Sequence, residues 1–288
     1  MRKLWLGIIL FFACDLLLWQ VLFFTFFKND DFGLYFLDVG QGDSELIVLP
    51  GDVQVLIDGG LPNGKVLQEL HSVLGSKDRY IDLLVLTHPQ TDHFGGLIDV
   101  LDRYEVGAII GSGRGSTLSS YRAFEEMRKE KRVPYVVVRK GDAIRYGEAV
   151  LSILSPDEAL VRNEEVNEST VVVRLDYGAL SALYTGDIGA PAETALVKSK
   201  SIDVDVLKVP HHGSRFSSSK EFLKAVSPKI AVIEVGKNTY GHPTPAALGR
   251  LKDAGAEIFR TDKNGRVEIS KKDESMEIFF EKREAVLR

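Results

Sequence analysis

Beyond residue 33 the chain is punctuated by short, mostly apolar runs, several of them followed closely by glycine or aspartate: 34–37, 45–49, 53–57 and 83–86, then 135–138, 150–154, 170–175, 180–184, 204–209 and 230–235. Runs this short, bounded by turn residues, predict strands, and a run apolar at every position predicts a strand buried on both faces. Between them lie segments with helical spacing. In 66–74, Val66, Leu67, Leu70, Val73 and Leu74 share one face, and 97–101, 118–129, 191–198, 219–226 and 245–254 read likewise. The polar stretch 163–169 reads as a loop. In the second half strands and helices alternate, followed by a short strand at 257–259, two closing strands within 266–280 and a charged end at 281–288. Such alternation predicts an α/β fold, and there is no fixed-period repeat.

Residues 4–27 break the pattern, because they are apolar except for Gly7, Cys14, Asp15, Gln20 and Thr25. That is long enough to cross a hydrocarbon layer about 30 Å thick. The run exceeds a signal-peptide core and has no small-residue cleavage site before Lys28, so the expectation is an uncleaved transmembrane helix. The predicted organisation is a membrane anchor over 1–31 and one domain over 32–288. Arg2 and Lys3 precede the run, whereas Asn29, Asp30 and Asp31 follow Lys28. The positive-inside rule then keeps the N-terminus cytoplasmic and predicts a single-pass protein of the cytoplasmic membrane with its C-terminal domain extracytoplasmic. Asp15 inside the span is costly unless paired or protonated, which points to a partner helix; a tolerated polar residue in a single span is the plainer reading.

At 288 residues the chain has room for a sizeable core, and its net charge of −5 leaves no global basic field to hold nucleic acid. Any such binding would need a local patch. The single cysteine, Cys14, lies in the first apolar run, so the folded domain forms neither an internal disulfide nor a thiolate metal site.

The candidate chemistry sits where apolar runs end. After 83–86 come His88, Asp92 and His93, closed by Gly95 and Gly96. Imidazoles with a carboxylate suit zinc, manganese or iron rather than calcium, although Asp-His before two glycines could equally be a helix N-cap beside a surface histidine. After 180–184 come Thr185, Gly186 and Asp187, where Asp187 could bridge two metals or merely cap the helix that follows. After 204–209 come Pro210, His211, His212, Gly213, Ser214 and Arg215; Ser214 and Arg215 offer a hydroxyl and a guanidinium to an anion. Adjacent histidines point different ways, so one of this pair at most would bind metal while the other moves a proton. His242 precedes the last helix. Of the six histidines only His71 lies in mid-helix, and the gathering of the others at strand and helix ends favours one site over scattered structural roles.

The set His88-Pro-Gln-Thr-Asp92-His93, Thr185-Gly186-Asp187, His211-His212-Gly213-Ser214 and Tyr240-Gly241-His242-Pro243 resembles the metallo-β-lactamase-fold hydrolase superfamily. Within it, Phe36-Leu-Asp38-Val-Gly-Gln-Gly-Asp43 and Leu56-Ile-Asp58-Gly-Gly60 are similar to the extracytoplasmic domain of the competence DNA-uptake family ComEC. The resemblance runs from about residue 34 to about 269. It implies a four-layer αββα sandwich with one or two divalent ions, zinc or manganese, at one rim. It also implies metal ligation by His88, Asp92, His93, Asp187 and His242, with catalytic parts for His211, His212 and Asp92. The family's second motif histidine is replaced here by Gln90, and no histidine lies between His93 and Asp187. Asn167 falls in that region and is a candidate substrate contact together with Ser214 and Arg215. Asp38, Asp43 and Asp58, at the ends of early strands, are expected to support metal-bound histidines, with turn-capping an equal reading for Asp43.

The expectation is thus a membrane-anchored, metal-dependent hydrolase, a phosphodiesterase or nuclease acting outside the cytoplasmic membrane on single- or double-stranded DNA. In DNA uptake it would need a separate multi-span channel partner, since one span forms no channel. Two rival expectations are cleavage of a small lactone, thioester or phosphodiester, and a non-catalytic binding domain with a degenerate metal site.

Overall fold

A computed structural model describes residues 2–26, 32–199, 202–272 and 275–281. Strands β1 (Gly33–Phe36), β2 (Glu45–Leu49), β3 (Val53–Ile57), β4 (Tyr80–Leu86), β5 (Glu105–Gly111) and β6 (Tyr135–Val137) build most of a first sheet. Strands β7 (Ala143–Tyr146), β8 (Ala149–Ser155), β9 (Val172–Tyr177), β10 (Leu180–Tyr184), β11 (Val206–Lys208), β12 (Ile230–Ile233) and β13 (Glu257–Arg260) build the second. The chain then returns to the first sheet with β14 (Val267–Lys272) and β15 (Ser275–Phe280). The strand orders are β15-β14-β1-β2-β3-β4-β5-β6 and β13-β12-β11-β10-β9-β8-β7.

The layers follow from which side chains alternate. Leu83 and Val85 of β4 join Phe36, Ile47, Leu151, Val173, Tyr184 and Val206 in a core between the two sheets. Leu84 and Leu86 face the other way and pack with Val66, Leu70, Phe94, Leu97 and Phe124 of the helices outside the first sheet. A third cluster joins Leu183, Leu207 and Ala231 to Leu196, Phe222, Leu223 and Leu251 of the helices outside the second sheet. Burial on both faces explains why the 83–86 run is apolar throughout rather than alternating. Four layers, helix–sheet–sheet–helix, result as expected.

In each sheet one half is parallel: β3 to β6 in the first, β10 to β13 in the second. Ligand sites in such sheets form beyond the carboxyl ends of parallel strands, where loops leave the sheet together. Asp58 follows β3, His88 follows β4, Asp187 follows β10, His211 and His212 follow β11, and Glu234 follows β12.

Two strands escaped the sequence reading. β5 contains Gly107 and ends on Gly111, and glycine weakens the strand signal. A Cβ on Gly107 would lie 2.6 Å from the Asp82 carbonyl oxygen of β4, so close backbone approach selects that residue. β7 shows little burial to mark it.

Arg2–Phe26 forms one 25-residue helix. Residues 27–31 of the expected anchor, and several side chains at the helix ends, lie outside the described residues. Among the described residues no helix is long and apolar enough to cross a membrane, so the structure does not support the expected spanning helix. Trp5, Phe11 and Trp19 on this helix are exposed.

Candidate metal centre

The segment after β4 delivers its ligands through a tight structural exchange with the neighbouring strand end. Asp58, in the left-handed region at φ 54°, accepts hydrogen bonds from the Thr87 amide (2.9 Å) and hydroxyl (2.5 Å) and from His93 Nδ1 (2.7 Å). That bond fixes the His93 tautomer and turns Nε2 toward Asp187, 3.4 Å from its Oδ2. Gly42, at φ 117°, completes the fit: a Cβ there would stand 2.1 Å from the Asp92 carbonyl oxygen. Only glycine lets the Asp43 loop lie on the Asp92–His93 turn.

The turn after β11 decides which histidine enters. His211 (φ 52°, ψ 46°) and His212 (φ 51°, ψ 26°) are both left-handed, a conformation costing roughly 1–2 kcal/mol per non-glycine residue and concentrated at functional sites. His212 is buried, its Nδ1 donating to the Glu234 carbonyl (2.9 Å). Its Nε2 stands 3.5 Å from Asp92 Oδ2 and 3.4 Å from Asp187 Oδ2. His211 keeps 32% of its side chain exposed, with Nε2 3.8 Å from Asp187 Oδ2.

Asp92, His93 and His212 therefore form one ligand-competent grouping, and Asp187 Oδ2 stands 3.4 Å from the Nε2 atoms of both imidazoles. Their contacts of 3.4–3.5 Å are long for hydrogen bonds. They match the spacing of about 3.4 Å between donors held about 2.1 Å from one tetrahedral ion. His88 Nε2, His93 Nε2, His212 Nε2 and Asp187 Oδ1 are buried with no hydrogen-bond partner, a state that costs energy unless something fills it. Ligand-competent groupings include Asp92–His93–His212, Asp43–Asp187–His212 and Asp58–His88–His93. The donors fit a divalent metal, and two carboxylates with two imidazoles suit zinc or manganese.

Electrostatics agree. Burial opposes charge on Asp187, yet His212 and His93 hold its carboxyl well below the usual range. Asp92 is lowered against its own burial by the neighbouring His212 and His93 imidazoles. Against burial, Asp187, Asp43 and Asp58 raise His93 well above the ordinary imidazole value, and Asp187 and Asp43 raise His212 to about 10. The two carboxylates are thus held ionised against the two imidazoles.

The other flank is poorer. Burial, reinforced by His93, pushes His88 down to about 3. Gln90, at the position of the absent histidine, donates from Nε2 to Asn167 Oδ1 (2.5 Å). One hydrogen bond thus joins the two amides at that position.

Several expectations are revised. His242 belongs to none of the ligand groupings; its ring lies against those of His211 (5.6 Å) and Tyr240 (5.7 Å), and His212 occupies the inner position because the left-handed turn rotates it inward. Ser214 is buried and its hydroxyl accepts the Phe216 amide (3.3 Å), so it shapes the turn instead of facing solvent. Arg215 is exposed, with its guanidinium 4.7 Å from the Phe216 ring centre. Asn167 pairs with Gln90. Asp58 lies 2.7 Å from His93 Nδ1 and Asp43 lies 3.1 Å from His212 Nδ1. Asp38 pairs instead with Lys65 (3.9 Å) and joins no ligand grouping.

A buried charge cluster beneath the site went unread. Lys208, fully buried in β11, donates to Asp43 and to the Gly186 carbonyl (3.1 Å). Glu45 and Glu234 pack below Asp43; burial and neighbouring carboxylates push Glu45 up to about 8 and Glu234 well above its ordinary range. The signal was present: each is the one charged residue in an otherwise apolar stretch, Val206-Leu-Lys208-Val, Glu45-Leu-Ile-Val and Ile230-Ala-Val-Ile-Glu234.

Comparison with known proteins bears on this arrangement. Residues 37–236 match the family model for the metallo-beta-lactamase superfamily. The chain is 31% identical over 253 residues to ComE operon protein 3 of Bacillus subtilis (strain 168), covering 81% of this chain and 32% of that protein. It is 28% identical over 270 residues to Recombination protein 2 of Haemophilus influenzae, covering 93% and 32%. It therefore spans about a third of the length of these relatives. Among solved structures, the metallo-beta-lactamase fold protein YhfI from Bacillus subtilis superposes with a TM-score of 0.57 at 13% identity, over 83% of this chain and 100% of that one.

Proposed function

The chain belongs to the metallo-beta-lactamase superfamily and has ComEC-like relatives, and from that premise we propose that it is a metal-dependent phosphodiesterase that cleaves DNA outside the cytoplasmic membrane. The observation that carries this reading is the grouping of Asp92, His93 and His212 with Asp187 beside both imidazoles, with unpaired buried Nε2 atoms on both histidines. Asp58 fixes His93, and Asp43 with the Glu234 carbonyl fixes His212. A divalent ion held there supplies electrophilic pull on a phosphoryl oxygen and acidifies water. His211, partly exposed beside Asp187, has the access needed to give a proton to a leaving oxygen. The exposed Arg215 guanidinium can hold phosphate charge at the rim. The Gln90–Asn167 amide pair favours one ion over two.

Anchoring is part of the proposal. The Arg2–Phe26 helix begins with Arg2 and Lys3 and leaves Trp5, Phe11 and Trp19 exposed, and Asp30 and Asp31 follow it in sequence. The exposed aromatic residues favour attachment of the chain to a membrane surface through this helix. Relatives named for competence, such as Competence protein ComA of Neisseria gonorrhoeae, favour a part in DNA uptake beside a multi-span channel.

The test is metal content and manganese-dependent cleavage of labelled single- and double-stranded DNA by the purified chain and by Asp92→Ala. One ion per chain with cleavage, both lost in the variant, is the expected result. Bound metal with both DNA forms intact would move the activity to a small ester or phosphodiester, and absence of bound metal would leave a binding domain only.

A further inference from the structure

An unbroken row of aromatic rings leads from solvent into the metal centre. Tyr240 is 72% exposed. Its ring centre lies 5.7 Å from that of His242, His242 lies 5.6 Å from His211, His211 lies 6.2 Å from His212, and His212 lies 5.7 Å from His93. The row passes from a largely exposed ring, through two partly exposed imidazoles, to the buried ligands.

The loop that carries Tyr240 is built, not slack. Asn238 Nδ2 donates to the carbonyls of Gly236 and His242 (2.9 Å each), and its Oδ1 accepts the amides of Tyr240 and His242 (3.1 Å each). The loop is docked on the histidine turn: the Thr244 amide donates to the Gly213 carbonyl (2.9 Å), and a Cβ on Gly213 would lie 2.6 Å from Pro243 Cβ. The same turn carries a second ring, Phe216, also 72% exposed and covered on one face by Arg215. Exposing two large rings to water beside a polar site opposes the usual burial of aromatics. His242 Nδ1, next along the row, has no hydrogen-bond partner. Lys237 stands exposed in the same loop. Fixed open rings interleaved with cations are what a single strand uses: unpaired bases stack on the rings and phosphates follow the charges, whereas a paired base keeps its faces inside the duplex.

We propose that Tyr240, with His242 and His211 behind it, is a stacking track for an unpaired base next to the scissile phosphate, which makes single-stranded DNA the preferred substrate. The proposal rests on the phosphodiesterase reading and adds strand preference to it. Tyr240 is a specificity-determining contact with the base; it does no chemistry.

The test compares wild type, Tyr240→Ala and Tyr240→Trp as manganese-loaded full chains. Three fluorescent ligands of equal length are used: a single-stranded DNA, an abasic single strand and a blunt duplex. Equilibrium binding is read by anisotropy and cleavage by gel. Wild type should prefer the base-containing strand over the abasic one by roughly 5- to 100-fold in KM and in binding, the range expected of one stacked base. That preference should collapse toward one in Tyr240→Ala and return in Tyr240→Trp. Equal preference in wild type and Tyr240→Ala would overturn the proposal. So would equal weakening of all three ligands, which would mark the loop as structural support. If wild type cleaves no ligand, the phosphodiesterase reading falls, while the binding ratio still decides for or against the track.

Discussion

The two flanks of Asp187 differ in what surrounds them. On one side Asp92, His93 and His212 stand within 3.5 Å of a neighbouring ligand atom, and both imidazoles are aimed by buried partners. On the other, His88 is buried and neutral, and the Gln90 amide nitrogen is held by the Asn167 amide oxygen. Both flanks were reached from the same strand-end pattern. What separates them is charge: the groups on the first flank are ionised and compensate one another, whereas those on the second are neutral. A cation is drawn to the first, where carboxylates already hold imidazolium groups as stand-ins.

The sharpest way to break this contrast is to remove a ligand from each flank. His212→Ala should abolish stoichiometric metal and lower cleavage by about a thousandfold or more, the scale of a lost electrostatic centre. His88→Ala should retain most of the metal, measured by elemental analysis after dialysis. Equal loss from both would show that the flanks act as one site. Next in size is a gain: Gln90→His with Asn167→His replaces the two hydrogen-bonded amides with donors. The double variant should rise from one ion per chain to two, and a stoichiometry unchanged at saturating metal would mean that the pocket lacks room for the second.

Much of this centre was legible because polar residues stood out where apolar runs stopped. The runs ending at residues 57, 86, 184 and 209 delivered Asp58, His88, Asp187 and the histidine pair, since a strand buried on both faces leaves polarity only at its ends. The facing of His211 and His212 was not legible. It depends on two consecutive left-handed residues, and sequence spacing carries no sign of φ beyond the following Gly213. His242 was overvalued for the same reason, since its place before a helix does not say which way its ring points. Lys208, Glu45 and Glu234 were passed over as parts of strands, although a lone charge in a doubly buried strand must find a partner. The pairing of Gln90 with Asn167 joins residues from distant loops, which neither segment announces alone.

The smallest expected effect is a difference in pH response, and it probes the flanks without mutation. In the metal-free protein, Asp187 and Asp43 outweigh burial and keep His212 protonated up to about 10, and His93 is raised as well. Their folded values lie above the ordinary 6.5 of the unfolded chain, so the stabilisation they give is fully present below pH 6.5 and is lost as pH climbs toward 10. Metal binding runs the other way. An imidazole must be neutral to ligate, so each ion expels the protons of His93 and His212, and affinity should rise about tenfold per pH unit for each proton displaced. His88, held down to about 3, has no proton to lose in this range, so binding confined to its flank would be flat. Calorimetric titration at several pH values between 6.5 and 9, in buffers of differing ionisation enthalpy, counts the protons directly. A rising affinity with measurable proton release, set against a falling melting temperature of the metal-free chain, would assign the ion to the His93–His212 flank. Affinity independent of pH would move it to His88.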